Sequence, residues 1–223
     1  MGTFDSSEKR VTILFDLDGT LIDSTEAILE SFGVAFEKFG SSHPGKEAIK
    51  ALVGHPLDVM FFRLGVPKSM VSRHVDAYKE HYRVISCRKT VLLPEAREAV
   101  AEAAEFARLG VVTTKTGRYS KELLEHMGLM EHFEVLIGRE DVKRPKPHPE
   151  PVLKALAAMG CAKERCWMVG DTVMDIEAAK SAGVEPFALT CGYGKVSEMS
   201  SACDNIARNA AEAVRSIRTT LGS

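Results

Sequence analysis

Two aspartates stand two residues apart, directly after an apolar run near the start of the chain. Asp16 and Asp18 follow residues 11–15, and Gly19 comes next. A carboxylate at a strand end can accept a phosphoryl group, and a second carboxyl group nearby can protonate the leaving oxygen and then activate water. We therefore predict that Asp16 is a nucleophile and that Asp18 is the acid and base of a phosphoryl transfer.

A second pair of aspartates, Asp171 and Asp175, begins just past another apolar run. Their spacing of four residues places both on one face at the start of a helix. Crowded carboxylates repel one another unless a cation lies among them, and oxygen ligands beside a phosphate favour Mg²⁺ over zinc. We expect Asp171 to bind Mg²⁺ directly and Asp175 to bind or support it. Two structural alternatives stay open: Asp171 caps the helix, or Asp175 pairs with Lys180 on an exposed face.

Three further residues have the chemistry of a phosphate site. A transferring phosphoryl group needs cations and hydroxyl donors around its oxygens. Lys146 lies between two prolines, which limit its freedom, and Thr113 and Thr114 follow the apolar pair at 111–112. We predict that Lys146, the Thr113 hydroxyl and the Thr114 backbone amide bind phosphate. The alternative for Lys146 is a solvated loop lysine.

The elements that must position these residues alternate between helix and strand. After a first strand over 11–15, we predict helices over 94–108, 119–127, 149–159 and 172–182 and strands over 111–113, 134–137, 166–169 and 186–189. This alternation is typical of right-handed βαβ units and a parallel sheet with both faces covered. The fold class is therefore α/β, with a Rossmann-like doubly wound parallel sheet.

A long stretch of helical periodicity separates the first strand from the rest of this core. It runs to about residue 87 without a convincing strand, so we predict an inserted α-helical cap. The expected boundaries are residues 1–21 and 92–223 for the core and 22–91 for the cap. The chain crosses between the two near residues 21–24 and 89–93, and we expect these crossings to act as paired hinges.

Composition limits the partners of the chain. Its 223 residues contain 29 basic and 31 acidic side chains, a net charge of -2, which gives no footprint for nucleic acid. Five cysteines without a CxxC pair favour a reducing, cytoplasmic location. No apolar stretch is long enough for a membrane span, and the N-terminus lacks a signal pattern. We expect a small phosphorylated metabolite as partner, no nucleic acid or membrane, and a monomer or homodimer.

Taken together, four stretches resemble the four motifs of the haloacid dehalogenase superfamily of phosphohydrolases. In chain order they are residues 16–20, 113–115, 144–147 and 170–175, and the resemblance extends from residue 11 to about residue 207. It implies that Asp16 is the nucleophile and Asp18 the acid and base. It also implies a metal held by the side chains of Asp16 and Asp171 and by the backbone carbonyl of Asp18, with Asp175 completing the acidic motif. The helical insertion is similar to the C1 caps of this superfamily.

Finer details resemble the phosphoglycolate phosphatase branch. A carboxyl group at Asp18 argues against dehalogenases and phosphonatases, whereas Thr20 and the cap loop at 54–57 are similar to that branch. Thr114 and Glu95 depart from its usual asparagine and glycine. The resemblance implies a Mg²⁺-dependent phosphatase acting on a small, phosphoglycolate-like monoester. Alternatives are a β-phosphoglucomutase-like mutase, a pyrophosphatase or nucleotide phosphatase, and a binding protein that kept only the fold.

The cap loop carries one candidate for substrate specificity. His55 lies between Gly54 and Pro56, in a loop that must reach over the phosphate site to contact the leaving group. We predict that His55 contacts this group, and the alternative is a surface or helix-capping histidine. Lys115 and Arg63 are further candidates for the same contact.

Overall fold

The computed structural model describes residues 11–222. The N-terminal residues, for which we expect no signal pattern, lie outside this range. Six parallel strands form one sheet in the order β5-β4-β1-β6-β7-β8, and two short strands form a separate antiparallel pair. The strands are β1 (Thr12–Phe15), β2 (Ile22–Asp23), β3 (Val91–Leu92), β4 (Arg108–Val112), β5 (Phe133–Ile137), β6 (Cys166–Gly170), β7 (Glu185–Leu189) and β8 (Ile206–Ala207).

Helices cover both faces of the six-stranded sheet. The α-helices of the described residues are α1 (Thr25–Lys38), α2 (Lys46–Lys50), α3 (Leu57–Arg63), α4 (Lys68–Ile85), α5 (Ala96–Phe106), α6 (Gly117–His126), α7 (Glu150–Met159), α8 (Val173–Ala182), α9 (Val196–Ala202) and α10 (Ala210–Gly222). Because side chains alternate along a strand, Ile13 and Phe15 pack with α5, α6 and α10, while Leu14 packs with α7 and α8. The predicted fold class, a doubly wound α/β sheet with helices on both faces, is confirmed.

Strand order reverses at β1, which lies between β4 and β6. The chain builds β4 and β5 on one side of β1 and then returns to build β6, β7 and β8 on the other. In open parallel sheets, the crevice beyond the carboxyl ends of the strands at such a reversal is where ligands bind. The sheet therefore brings the residues after β1, β4 and β6 to one place.

Helices α1–α4 pack around an apolar cluster of their own, which includes Phe32, Phe36, Phe61 and Tyr78. Both chain crossings occur at the β2–β3 pair, where Ile22 lies opposite Leu92. The exact boundaries of the cap and its hinge motion stay predictions. Within residues 11–222, none of the helices combines the length and apolar character needed to cross a bilayer.

One predicted boundary is wrong. The helix predicted over 94–108 ends at Phe106, and Arg108 already belongs to β4, which was predicted to begin only at residue 111. Gly110 explains the error, because glycine is unfavourable in strands and disguises the pattern. In the fold it has a packing role, since a Cβ atom there would lie 2.8 Å from the side chains of Leu14 and Val135. The other predicted boundaries differ from the observed ones by no more than two residues.

Candidate active site

Three strand ends meet at the reversal point and carry three of the predicted site residues. Asp16 follows β1, Thr113 follows β4, and Asp171 follows β6. The strand pairing continues into the first two, because the Asp16 amide donates to the Val169 carbonyl at 2.9 Å and the Thr113 amide donates to the Ile137 carbonyl at 2.9 Å. The parallel sheet, rather than the local loops, therefore brings these residues together.

Asp16, Asp171 and Asp175 form a buried cluster of carboxylates. Each offers an oxygen, and the three oxygens lie within 4.8 Å of one another. The Lys146 ammonium lies 2.8 Å from Asp16 Oδ1 and 2.5 Å from Asp175 Oδ1, and it donates to the Val112 carbonyl at 3.0 Å. Lys146 is itself buried, so the solvated-lysine alternative does not describe it.

Asp175 has protein partners on both oxygens. Lys146 binds Oδ1, and the backbone amide and hydroxyl of Thr172 donate to Oδ2 at 3.0 and 2.6 Å. Thr172, and not Asp171, is the N-cap of α8. The arrangement therefore differs from both structural alternatives, since Asp175 pairs with Lys146 instead of Lys180. Asp175 orients Lys146 at the edge of the carboxylate cluster.

Asp171 is held by residues that the motif reasoning did not assign to the site. The Thr20 hydroxyl donates to Oδ1 at 3.0 Å, and the Tyr193 amide donates to Oδ2 at 2.8 Å. Gly19 and Gly192 are packed so closely that a Cβ atom on either would overlap the Asp171 carboxylate. Gly192 follows β7 in a glycine-rich loop, so the same strand-end reasoning that identified Asp171 offered a signal for this loop.

The cluster carries more negative charge than its lysine balances. Burial is the main cause that raises the pKa of Asp16, to about 7; Lys146 acts against this increase and Asp175 adds to it. Burial, Asp16 and Asp175 likewise raise the pKa of Asp171 well above its usual range. Burial acts to lower the pKa of Lys146, but its two aspartate partners raise it by more. Three buried carboxylates beside one ammonium fit a hard divalent cation with oxygen ligands, such as Mg²⁺.

The Asp18 carboxylate has partners outside this carboxylate cluster and lines the cavity next to the cap. Its carboxylate is 3.0 Å from Lys115 Nζ, and the Ser24 hydroxyl donates to Asp18 Oδ1. Lys115 Nζ also lies 4.5 Å from the centre of the Tyr82 ring on α4. Burial is the largest single influence and acts to lower the pKa of Lys115, but Asp18 and Tyr82 together raise it by more, so this lysine stays cationic.

Thr113 and Thr114 have different partners. The Thr113 hydroxyl accepts the Lys115 amide at 3.2 Å and keeps its own proton for donation. The Thr114 hydroxyl donates to the Gly54 carbonyl at 2.7 Å, a direct bond between the core and the cap loop. The Thr114 side chain therefore holds the cap, and phosphate binding by its backbone amide stays a prediction.

His55 is half-buried within the same cap loop, next to Gly54. Its Nε2 lies 2.9 Å from Nη1 of Arg63, which is exposed at the end of α3, and its Nδ1 is buried without a hydrogen-bond partner. Burial, with help from the Arg63 charge, lowers the pKa of His55. The ring is therefore neutral near pH 7, and its contact with a leaving group stays a prediction.

A cavity of about 270 Å³ separates Asp18 from the cap helices. Asp18 and Lys115 line it from the core, and His55 and Tyr82 are among the cap residues that line it. The cavity therefore lies beside the residue that we predict to be the acid and base.

Comparison with known proteins supports this arrangement. The model of the family described as haloacid dehalogenase-like hydrolase matches residues 13–189. The chain belongs to this family. The haloacid dehalogenase-like hydrolase from Streptococcus pneumoniae has the same fold, with a TM-score of 0.84 and 26% identity over 93% of this chain and 98% of that one. The resemblance stated from the four motifs is thereby confirmed.

Two relatives of this haloacid dehalogenase-like hydrolase carry names of specific activities. A pyrophosphatase PpaX from Halalkalibacterium halodurans is 37% identical over 78% of this chain and 80% of its own length. A phosphoglycolate phosphatase from Photorhabdus laumondii is 32% identical over 81% of this chain and 80% of its own length. Both relatives act on small phosphate compounds, according to their names, and they differ in the group that leaves.

Proposed function

We propose that this hydrolase is a Mg²⁺-dependent phosphatase that cleaves a small, phosphoglycolate-like monoester through an aspartyl-phosphate intermediate on Asp16. One observation carries the proposal: Lys146 Nζ lies 2.8 Å from Asp16 Oδ1 at the end of β1, and Asp18, two residues further along the chain, lines the cavity. A nucleophile, a cation for the phosphate and an acid for the leaving group therefore share one crevice. The named phosphatase among the relatives supports this interpretation.

The reaction divides into two displacements. Asp16 attacks phosphorus and forms an acyl phosphate, while Asp18 gives its proton to the departing alcohol. Asp18 then takes a proton from water, which attacks the acyl phosphate and regenerates Asp16. Lys146 fixes the Asp16 carboxylate through Oδ1 and places its positive charge beside the phosphate, and the Thr113 hydroxyl provides a donor for an equatorial phosphate oxygen.

The acidic cluster gives the metal its place in this proposal. Asp16, Asp171 and the backbone carbonyl of Asp18 would hold Mg²⁺, with Asp175 in support. When bound, the ion neutralises carboxylates and phosphate oxygens that would otherwise repel each other. The raised pKa values of Asp16 and Asp171 support this assignment: burial is their main cause and neighbouring carboxylates add to it, and a bound divalent cation would offset both effects.

The cap limits the partners. The Thr114–Gly54 bond and the apolar contacts of the cap keep it over the crevice, which excludes bulk water from the acyl phosphate. A lid of this kind suits a small phosphorylated metabolite and not a nucleic acid or a membrane. The proposal includes a cytoplasmic location, which the five free cysteines support. It also includes a monomeric or homodimeric state.

Pyrophosphate hydrolysis is the second candidate, favoured by the relative named as a pyrophosphatase. The same groups would cleave a P–O–P bond, with phosphate in place of an alcohol as leaving group. A phosphomutase would instead return the phosphoryl group to a sugar phosphate. A bisphosphate activator would stimulate a mutase but not a phosphatase.

Phosphate release with and without Mg²⁺ tests the proposal. The panel contains 2-phosphoglycolate, p-nitrophenyl phosphate, a sugar phosphate, a nucleotide and pyrophosphate. We expect hydrolysis that EDTA abolishes and that Asp16→Asn lowers by several orders of magnitude. Asp76→Asn, which removes a carboxylate from the exposed face of α4, serves as the control and should match wild type. Unchanged turnover in Asp16→Asn would reject the aspartyl-phosphate mechanism.

A further inference from the structure

The cavity beside Asp18 has mainly apolar walls. Side chains of Ile28 and Phe32 from α1, Met60 from α3 and Val75 and Tyr78 from α4 line it. These residues belong to the apolar cluster of the cap or pack against it. A ligand without apolar surface of its own would leave these side chains in contact with water, which is unfavourable. The lining therefore favours a leaving group with apolar surface.

The cavity is also larger than a two-carbon leaving group requires. Its volume is about 270 Å³, and Thr114 and Asp18 line it, whereas Asp16, Thr113 and Lys146 do not. An engineered apolar cavity of about 150 Å³ is enough to bind benzene. Glycolate would leave most of this space to water, whereas a ring with a short linker would fill it.

Two buried polar atoms belong to residues of the cavity lining. The Tyr82 hydroxyl and His55 Nδ1 are both buried without a hydrogen-bond partner, and both residues line the cavity. Buried polar groups in folded proteins are nearly always hydrogen-bonded. Neither atom is accessible from the cavity, so the apolar character of its walls is unchanged.

Part of the charge that lines the cavity already has protein partners. Lys115 is already paired with Asp18 at 3.0 Å. Asp58 and Lys79 contribute one charge of each sign, and Arg139 donates to a backbone carbonyl at 3.2 Å. The second phosphate of pyrophosphate would lie on a surface of which the larger part is apolar, at a desolvation cost.

We infer that the preferred substrates are phosphomonoesters of alcohols with an apolar body about the size of a six-membered ring, which occupies the cavity between Asp18 and α4. This inference rests on the proposed function and specifies which alcohol leaves. The ester oxygen occupies the position that a phosphoglycolate-like substrate would use, but the alcohol is larger and less polar than glycolate.

A comparison of esters with unactivated leaving groups tests the inference. Benzyl phosphate and cyclohexylmethyl phosphate are compared with ethyl phosphate, 2-phosphoglycolate and pyrophosphate under saturating Mg²⁺. We expect kcat/KM for the two ring esters to exceed that for ethyl phosphate by at least about tenfold, because single apolar groups in a fitted pocket already discriminate by this factor. Values for phosphoglycolate or pyrophosphate above those of the ring esters would overturn the inference.

Filling the cavity gives a second, independent measurement. Val75→Phe and Leu57→Phe each place a larger side chain at a half-buried position of the lining. We expect each to lower kcat/KM for benzyl phosphate by at least about tenfold and for ethyl phosphate by less than about threefold. Val84→Phe, on the exposed side of α4, is the matched control and should change neither value. Two variants are used so that the misfolding of one leaves the test intact.

The outcomes separate this inference from the proposed function. Metal-dependent hydrolysis of ethyl phosphate and phosphoglycolate without any preference for the ring esters would overturn only the inference. Equal losses for benzyl and ethyl phosphate in the filled variants would do the same. The absence of hydrolysis for every ester, including p-nitrophenyl phosphate, would overturn both.

Discussion

Replacing Lys146 with methionine should destabilise the metal-free protein strongly. Lys146 Nζ is shared by Asp16 and Asp175, and all three side chains are at least nine-tenths buried. Removing one partner of a buried ion pair costs about 3–5 kcal/mol, because the other charge loses its compensation. In a domain of this size about 1 kcal/mol changes Tm by about 2–4 °C, so we expect Lys146→Met to lower Tm by about 6–20 °C.

The loss should depend on pH in a defined direction. The pKa of Asp16 is raised to about 7 even with Lys146 in place. Without Lys146 this pKa rises further, so Asp16 takes a proton readily at pH 5.5 and relieves the repulsion, whereas protonation costs more free energy at pH 8. The destabilisation by Lys146→Met should be larger at pH 8 than at pH 5.5.

Thermal unfolding in EDTA, followed by circular dichroism at both pH values, measures this effect. Lys143→Met removes a neighbouring exposed lysine and should leave Tm unchanged. Adding Asp175→Asn to Lys146→Met removes one uncompensated charge and should recover part of the loss. A Tm for Lys146→Met within about 2 °C of wild type at pH 8, or no recovery in the double variant, would refute the reasoning. With Mg²⁺ present, kcat/KM should fall by about 10²–10³ because a phosphate cation is lost.

Three further predictions follow from the site. Because the pKa values of Asp16 and Asp171 are raised, their protonated forms stabilise the metal-free fold. Tm in EDTA, measured by differential scanning fluorimetry, should therefore fall as the pH rises from about 4 to 7. The increase in Tm on adding Mg²⁺ should be largest above that range. Gly192→Ala should weaken Mg²⁺ binding in titration calorimetry by tenfold or more, because its Cβ displaces Asp171. Gly45→Ala should leave Mg²⁺ binding unchanged, because no atom lies within 4 Å of its Cβ. Thr114→Val should loosen the cap and raise KM with little change in Tm, because it removes the 2.7 Å bond to the cap loop.

The central part of the site could be predicted from the sequence because strand ends determine it. Asp16 and Asp171 each follow a short apolar run, and parallel strands place their carboxyl ends at one edge of the sheet. The sheet confirms the order of elements that this argument requires. The argument needs only the periodicity of the chain and not the details of packing.

Partners that depend on packing between distant segments could not be predicted. The bond between Lys146 and Asp175 depends on how the loop before α7 packs against α8, and no local pattern encodes this. The Lys115–Asp18 pair depends on the path of the backbone after β4. The strand position of Arg108 was missed because Gly110 is unfavourable for a strand by propensity, although the tight packing around it requires a glycine. In each case tertiary contacts outweigh a local preference.

The adjacent positions of β2 and β3 have a consequence for protein engineering. The cap leaves the core beside Ile22 and returns beside Leu92, and these two residues are direct neighbours in the antiparallel pair. The Leu93 amide also donates to the Leu21 carbonyl at 3.0 Å, so the two junctions are joined at the first core residues. An insertion whose ends meet can be exchanged without a change in the spacing of the core elements. A chimaera that carries the cap of a relative on this core should fold and acquire the relative's choice of substrate.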